Sequence, residues 1–137
     1  CYFEELRQDF EGAYYGMYFL ELADYCTREN NDEREVLKLL YQSLRALTVK
    51  SIPRRLVRCI YEIRLIVANG EFPGLPQGNF SETALYAVEF IAGTPVEKLY
   101  TFTLKEEVLA ELVQIAEKYR RDFLPGEFHT LEILETL

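Results

Sequence analysis

Apolar residues recur along this chain at three- and four-residue intervals, the spacing that lines one face of an α-helix, and no segment sustains the period-two alternation of a half-buried strand. Between Tyr2 and Cys26 the series Phe3, Leu6, Phe10, Ala13, Met17 and Leu20 keeps helical spacing as far as Asp24. Tyr14, Tyr15, Tyr18 and Phe19 widen the apolar surface until it nearly encircles the helix, which is therefore expected at the centre of the fold. Asn30 and Asn31 mark its stop. Asp32, with Glu35 three residues on, then forms a capping-box-like start for a second helix over Glu33 to Leu47, with Val36, Leu37, Leu40, Leu44 and Leu47 inward. So short a connection makes the two helices antiparallel neighbours. Ser51 and Pro53 open a third helix, with Pro53 in its first turn, a buried stripe of Leu56, Ile60, Ile63 and Val67, and a stop at Asn69-Gly70.

A proline-glycine loop from Glu71 to Asn79 follows. Ser81 starts a helix through Ile91 that turns Leu85, Val88 and Ile91 or Ala92 inward, and Gly93-Thr94-Pro95 ends it. Thr103 and Glu106 read as a second capping box, opening a helix with Val108, Leu112, Ile115, Tyr119 and Phe123 on one face until Pro125-Gly126. Phe128 to Leu137 repeats Phe128, Leu131, Leu134 and Leu137, while Lys98 to Thr103 has local strand character but no sheet to join. The pattern predicts an all-α, single-domain bundle of about six helices over residues 1–137. Glu21, Asp24, Glu62 and Arg64 interrupt every apolar stretch before it reaches the roughly 18 to 20 residues of a membrane span.

Charge changes this picture locally. The chain carries −8 overall, yet Arg45, Lys50, Arg54, Arg55, Arg58 and Arg64 face a single acid, Glu62, inside one window, so that window is +5 and the remainder −13. An acidic body disfavours indiscriminate adhesion to nucleic acid, whereas a basic strip attracts a phosphate backbone or an acidic peptide at short range. Arg54, Arg55 and Arg58 fall opposite Leu56, Ile60 and Ile63 on the third helix, with Lys50 before it, so the strip is either a solvated face or a docking patch for an anionic partner. Arg64 lies at the margin of the buried stripe, as a structural ion pair or as the rim of a pocket.

The chemistry-bearing residues are sparse. One histidine, His129, has no evident partner for acid-base work, and Asp24 or Glu21 as a base has no convergent second group, so an enzyme is not expected. Cys1, Cys26, Cys59 and His129 have the head-count of a zinc site without the paired spacing that pre-forms one, and neither a calcium loop nor a phosphate-cradling glycine loop is present. No metal or cofactor is predicted. The odd, unclustered cysteines suit reduced thiols in a cytoplasmic protein. Ten tyrosines and nine phenylalanines fall mainly at core spacing and read as packing rather than as base-stacking platforms. A chain that opens on Cys1, with its one methionine at Met17, is expected to be part of a longer protein.

Three stretches together carry a resemblance. Tyr61-Glu62-Ile63-Arg64-Leu65-Ile66, followed by Gly70, Pro73 and Leu75, resembles the helix-and-loop signature of the C-terminal domain of the recombination mediator RecO. Leu20-Glu21-Leu22 through Leu47 is similar to the paired helices before that signature, and Phe128-His129-Thr130-Leu131-Glu132-Ile133-Leu134 to the family's closing segment. In many members the loop runs into a zinc ribbon of two cysteine pairs, but here Leu75 is followed by Pro76-Gln77-Gly78-Asn79-Phe80, so no metal ligands carry over. The resemblance implies a DNA repair and homologous recombination role: displacing single-strand-binding protein, annealing strands, and loading recombinase with RecR. It also implies an N-terminal OB-fold carrying most single-stranded DNA binding, and a cytoplasmic, nucleoid-associated location. The residues expected to meet the acidic tail of the single-strand-binding protein are Lys50, Arg54, Arg55, Arg58 and Arg64, with Ile60 and Tyr61 as nearby apolar surface. The alternative is a ligand-sensing or dimerisation domain of a transcription regulator, with a pocket lined by Tyr14, Tyr18 and Phe19.

Overall fold

In the computed structural model, residues 2–28, 33–124, 126 and 128–136 are described, without the side chains of Tyr2, Phe3, Leu6 and Arg28. Six α-helices and one short 3₁₀ turn account for the regular structure: α1 Tyr2–Arg28, α2 Glu33–Ala46, α3 Arg54–Ala68, α4 Glu82–Gly93, the 3₁₀ turn Val96–Lys98, α5 Glu106–Phe123 and α6 His129–Thr136. No strand occurs among the described residues, so Lys98 to Thr103 forms turns rather than a local pairing. The expected stops and caps at Asn30, Asn31, Asp32 and Pro125 lie outside the described residues.

The fold is organised around α3, which packs against α5, α2, α4 and α1. Although it carries four arginines, Leu56, Val57, Cys59, Ile60, Tyr61, Ile63, Leu65 and Ile66 are all buried. With four helices packed on it, α3 takes the central place the periodicity assigns to α1. It begins one residue later than expected. Pro53 occupies the N-cap position, its carbonyl accepting from Leu56 and Val57, and Gly70 closes the other end at φ 74°, where a side chain would be strained.

α1 presents the opposite face to the one its strongest stripe suggests. Tyr15, Tyr18, Phe19, Leu22, Ala23 and Cys26 enter the core, whereas Phe10, Met17 and Leu20 are exposed. Both faces have helical period, so spacing does not choose between them. The choice follows from what α3 offers: Phe19 stacks on Tyr61 at 4.2 Å between ring centroids, and the Tyr61 hydroxyl donates to the Phe19 carbonyl at 2.6 Å. Large rings with polar tips bury more area than the Phe10–Leu20 face and satisfy their hydroxyls there. On α2, likewise, Val36, Leu39 and Leu40 are buried and Leu37 is exposed.

The remaining helices form the second half of the bundle. Ser81 caps α4 through its Oγ, which accepts from the Ala84 amide at 3.2 Å. α5 starts at Glu106 with Lys105 as its N-cap, so the capping box expected from Thr103 does not form. α5 buries Leu109, Leu112, Ile115, Ala116 and Tyr119, with Val108 and Phe123 only packed at its edge. α6 lies against α1, where Thr130 Oγ1 donates to Glu21 Oε2 at 2.8 Å, committing Glu21 to a structural bond.

Candidate functional site

A groove of about 830 Å³ lies between the N-terminal half of α1 and the α2–α3 turn. Of two helix-interior glycines beside it, Gly12 makes room and Gly16 does not need to. A Cβ at Gly12 would stand 2.8 Å from Arg54 Nη2, and one at Gly16 would stand 3.6 Å from Leu44 Cδ2. Glycine costs a helix about 1 kcal/mol relative to alanine, and at Gly12 it lets the Arg54 guanidinium approach the α1 backbone. That turn is held by Thr48 and Val49 amides donating to Arg45 and Ala46 carbonyls, and by Thr48 Oγ1 on the Arg45 carbonyl at 2.7 Å. Tyr15, Leu44, Leu47 and Ile52 give the groove an apolar lining, and Lys50, Arg54 and Arg55 a basic rim, with Asp9 and Glu11 on the α1 side.

The three rim cations differ. Lys50 and Arg55 are exposed. Arg54 is half-buried and clamps the groove: Nη1 donates to the Gln8 carbonyl of α1 at 2.5 Å and Nε to the Leu47 carbonyl at 3.5 Å. Its guanidinium keeps further N–H donors, since only two of its three nitrogens are engaged in these bonds.

Two other members of the basic strip turn inward. Arg58 Nε donates to Glu62 Oε2 at 3.1 Å, with the Arg58 side chain only 18% exposed and its Cζ 5.4 Å from the centre of the Tyr18 ring. Glu62 is 2% exposed, accepts the Tyr18 hydroxyl as well, and has Arg120 Nε of α5 at 3.7 Å, while Arg120 Nη2 reaches Glu135 of α6 at 3.8 Å. One carboxylate thus ties α1, α3 and α5, and through Arg120 reaches α6. Burial works against the Arg58 charge, but the Glu62 carboxylate outweighs it and the net shift of the guanidinium is upward. Burial first, and Glu62 second, push the Tyr18 hydroxyl well above its usual range. Arg58 therefore does not face water as its helical position suggests, because an acid four residues on captures it.

Arg64 also has an internal task. Its Nη1 donates to the carbonyls of Ile91, Ala92 and Thr94 at 2.9, 3.2 and 2.6 Å, satisfying the C-terminal end of α4 from a neighbouring helix. Its partner is a backbone end rather than a carboxylate, and desolvation lowers its pKa. Ile60 and Tyr61 are fully buried and are not apolar surface. Tyr61 meets Phe19 of α1, a contact that no reading of one helix in isolation identifies. Of the seven residues expected to meet a partner, the fold brings Lys50, Arg54 and Arg55 together, buries Ile60 and Tyr61, and engages the partly buried Arg58 and Arg64 in bonds within the bundle.

The aromatic pocket of the alternative reading is filled. Tyr18 and Phe19 are fully buried core residues, and Tyr14 is packed against the core. Among the described residues no group of three or more His, Cys, Asp or Glu side chains is placed to hold a metal ion. The loop over 71–80 carries no thiol or imidazole and so does not fit a zinc ribbon; Tyr119 fastens it instead, donating to the Gly74 carbonyl at 2.7 Å. Cys59 is buried, and that burial together with the Glu62 charge pushes its thiol upward, while Cys26 Sγ accepts from Asn69 Nδ2 at 3.6 Å. No helix among the described residues is long and apolar enough to cross a membrane.

Sequence reasoning missed two features that were visible in it: the Arg58–Glu62 spacing of an intrahelical ion pair, and the Gly12–Gly16 pair inside a long helix. Neither has meaning until neighbouring helices are placed.

What the described residues define is an all-α bundle with one grooved, cation-rimmed edge. The chain belongs to the recombination mediator family: the family model described as "Recombination protein O C terminal" matches residues 7–78, 72 of the 137 positions. That range runs from the groove-lining half of α1 through α3 and into the loop beyond it, and it excludes the closing α6 segment. No curated protein and no solved structure matches the chain.

Proposed function

We propose that this chain is a non-enzymatic interaction domain of a mediator of DNA repair and homologous recombination, and that its groove receives the acidic, apolar-ended tail of the single-strand-binding protein. The observation that carries this reading is the pairing, in one groove, of an apolar lining from Tyr15, Leu44, Leu47 and Ile52 with a rim of Lys50, Arg54 and Arg55. An acidic peptide ending in an apolar residue needs both parts: cations to steer and hold its carboxylates, and a greasy cleft for its last side chain. On this reading the domain helps to remove the single-strand-binding protein so that strands anneal, and works beside RecR in loading recombinase. Single-stranded DNA is bound mainly by an N-terminal OB-fold domain, because a body with −13 outside its basic window repels a phosphate backbone. A cytoplasmic, nucleoid-associated setting follows from those partners.

The test is a titration of a fluorescent acidic peptide with an apolar C-terminal residue against the chain and its Lys50→Glu/Arg55→Glu variant at low salt. The expected result is at least a ~10-fold loss of affinity with unchanged helix content, and a steep weakening with added salt for the unaltered chain. Equal affinity of the two proteins overturns the assignment.

A further inference from the structure

A single side chain ties the two walls of the groove together. One wall is α1 from Gln8 to Gly16, and the other is the α2–α3 turn with the first turn of α3. Arg54 leaves α3 at its first residue, passes the Leu47 carbonyl just beyond α2, and ends on the Gln8 carbonyl of α1. Among the described residues no other hydrogen bond links residues 8–16 to residues 44–55.

The end point of that reach depends on a glycine. Gln8 lies inside α1, where its carbonyl serves the helix ladder and only a second lone pair is open to a donor from outside. Every Cα–Cβ bond in a helix tilts toward the N-terminus, so a side chain at position 12 lies over the turn that holds the carbonyl of position 8. Gly12 leaves the approach clear. A Cβ there would stand 2.8 Å from Nη2, 3.1 Å from Cζ and 3.4 Å from Nη1 of Arg54, so the guanidinium keeps this seat only over glycine. At Gly16 the equivalent Cβ meets Leu44 Cδ2 at 3.6 Å, an ordinary contact, and no such requirement exists. The group displaced by a residue at position 12 is the far end of a flexible side chain, so the fold survives the change and only the seat is lost. Charge and placement are separable here: Lys50 and Arg55 are exposed on the rim and open to a ligand, whereas Arg54 turns its Nη edge to the α1 backbone.

We infer that Gly12 and Arg54 act as a positioning pair: the glycine opens the Gln8 carbonyl, the guanidinium docks there, and the groove walls are held at their working separation before any ligand arrives. The identity of that ligand rests on the acidic-tail reading; the pair adds that the groove is preformed rather than shaped by the peptide. The test compares the chain with Gly12→Ala, Arg54→Lys and the double variant, first alone and then titrated with the fluorescent acidic peptide. Lysine keeps the rim charge but lacks the planar fork, and alanine favours the helix, so helix content is expected to hold in all four proteins. In the free chain the Arg54 Nη protons are expected as resolved, slowly exchanging NMR signals that Gly12→Ala merges, with a shift of the Ile52 methyl signals from the groove lining. Peptide affinity is expected to fall about tenfold in each single variant and no further in the double, because both changes break one contact. Unchanged Arg54 and Ile52 signals in Gly12→Ala, undiminished affinity in either single variant, or losses that multiply in the double variant each overturn the inference. A peptide that binds none of the four proteins, while the Arg54 and Ile52 signals move as expected, overturns the acidic-tail reading and leaves the positioning pair standing.

Discussion

Replacing Glu62 by glutamine removes one charge and almost no volume, and the structure specifies the consequence. Glu62 is the buried counter-charge of Arg58 at 3.1 Å and of Arg120 at 3.7 Å, and both guanidinium side chains are less than one-fifth exposed. Glutamine still accepts the Tyr18 hydroxyl through its amide oxygen, so the loss isolates the electrostatic part. Breaking a buried ion pair by neutralising one partner costs about 3–5 kcal/mol, because the other charge is left uncompensated. The low end applies here, since each guanidinium retains some solvent, giving about 3 kcal/mol and a fall in Tm on the order of 10 °C for a chain of this size. Urea denaturation followed by circular dichroism measures the change. A double-mutant cycle with Arg58→Gln is expected to show a coupling of about 1–3 kcal/mol, the double variant being less destabilised than the sum of the singles. A cost for Glu62→Gln below ~1 kcal/mol, with strictly additive singles, refutes the view that this carboxylate holds the four helices together.

Two further outcomes follow from local geometry. Gly16→Ala places a methyl in ordinary contact with Leu44, so the helix-propensity gain of about 1 kcal/mol is realised and Tm rises by roughly 3–5 °C; a fall in Tm contradicts the spacing described there. Glu111 accepts from the Ser81 amide and hydroxyl, both at 2.7 Å, and these bonds hold its pKa below the usual carboxylate value. Its contribution to stability is present above the unfolded value of about 4.3 and is lost as pH falls through the lower folded value, so Glu111→Gln is expected to flatten the acid limb of the stability profile in that window while leaving its slope at neutral pH unchanged.

The residues of the basic strip show why fold and site were unequally legible. Helix existence was readable because three- and four-residue spacing is a property of each segment alone: α2 through α6 begin and end within a few residues of where the spacing, Ser81 and Gly70 place them. The fate of an individual arginine is not such a property. Arg55 and Arg58 lie one turn apart on the same helix, yet Arg55 meets solvent while Arg58 meets Glu62 and Tyr18. Arg64, which its sequence position leaves as either a structural ion pair or the rim of a pocket, is taken up by the open carbonyls of α4, some 30 residues away in the chain.

The order of residues by itself determined an all-helical chain with one basic window in an acidic body, since periodicity and net charge are summed over neighbours in sequence and need no third dimension. Only the tertiary structure decided which face of α1 is inside, which cations remain at the groove, and that Glu62 is interior. Those outcomes depend on desolvation and on partners brought from distant segments, and a buried charge is stable only where another helix arrives to meet it.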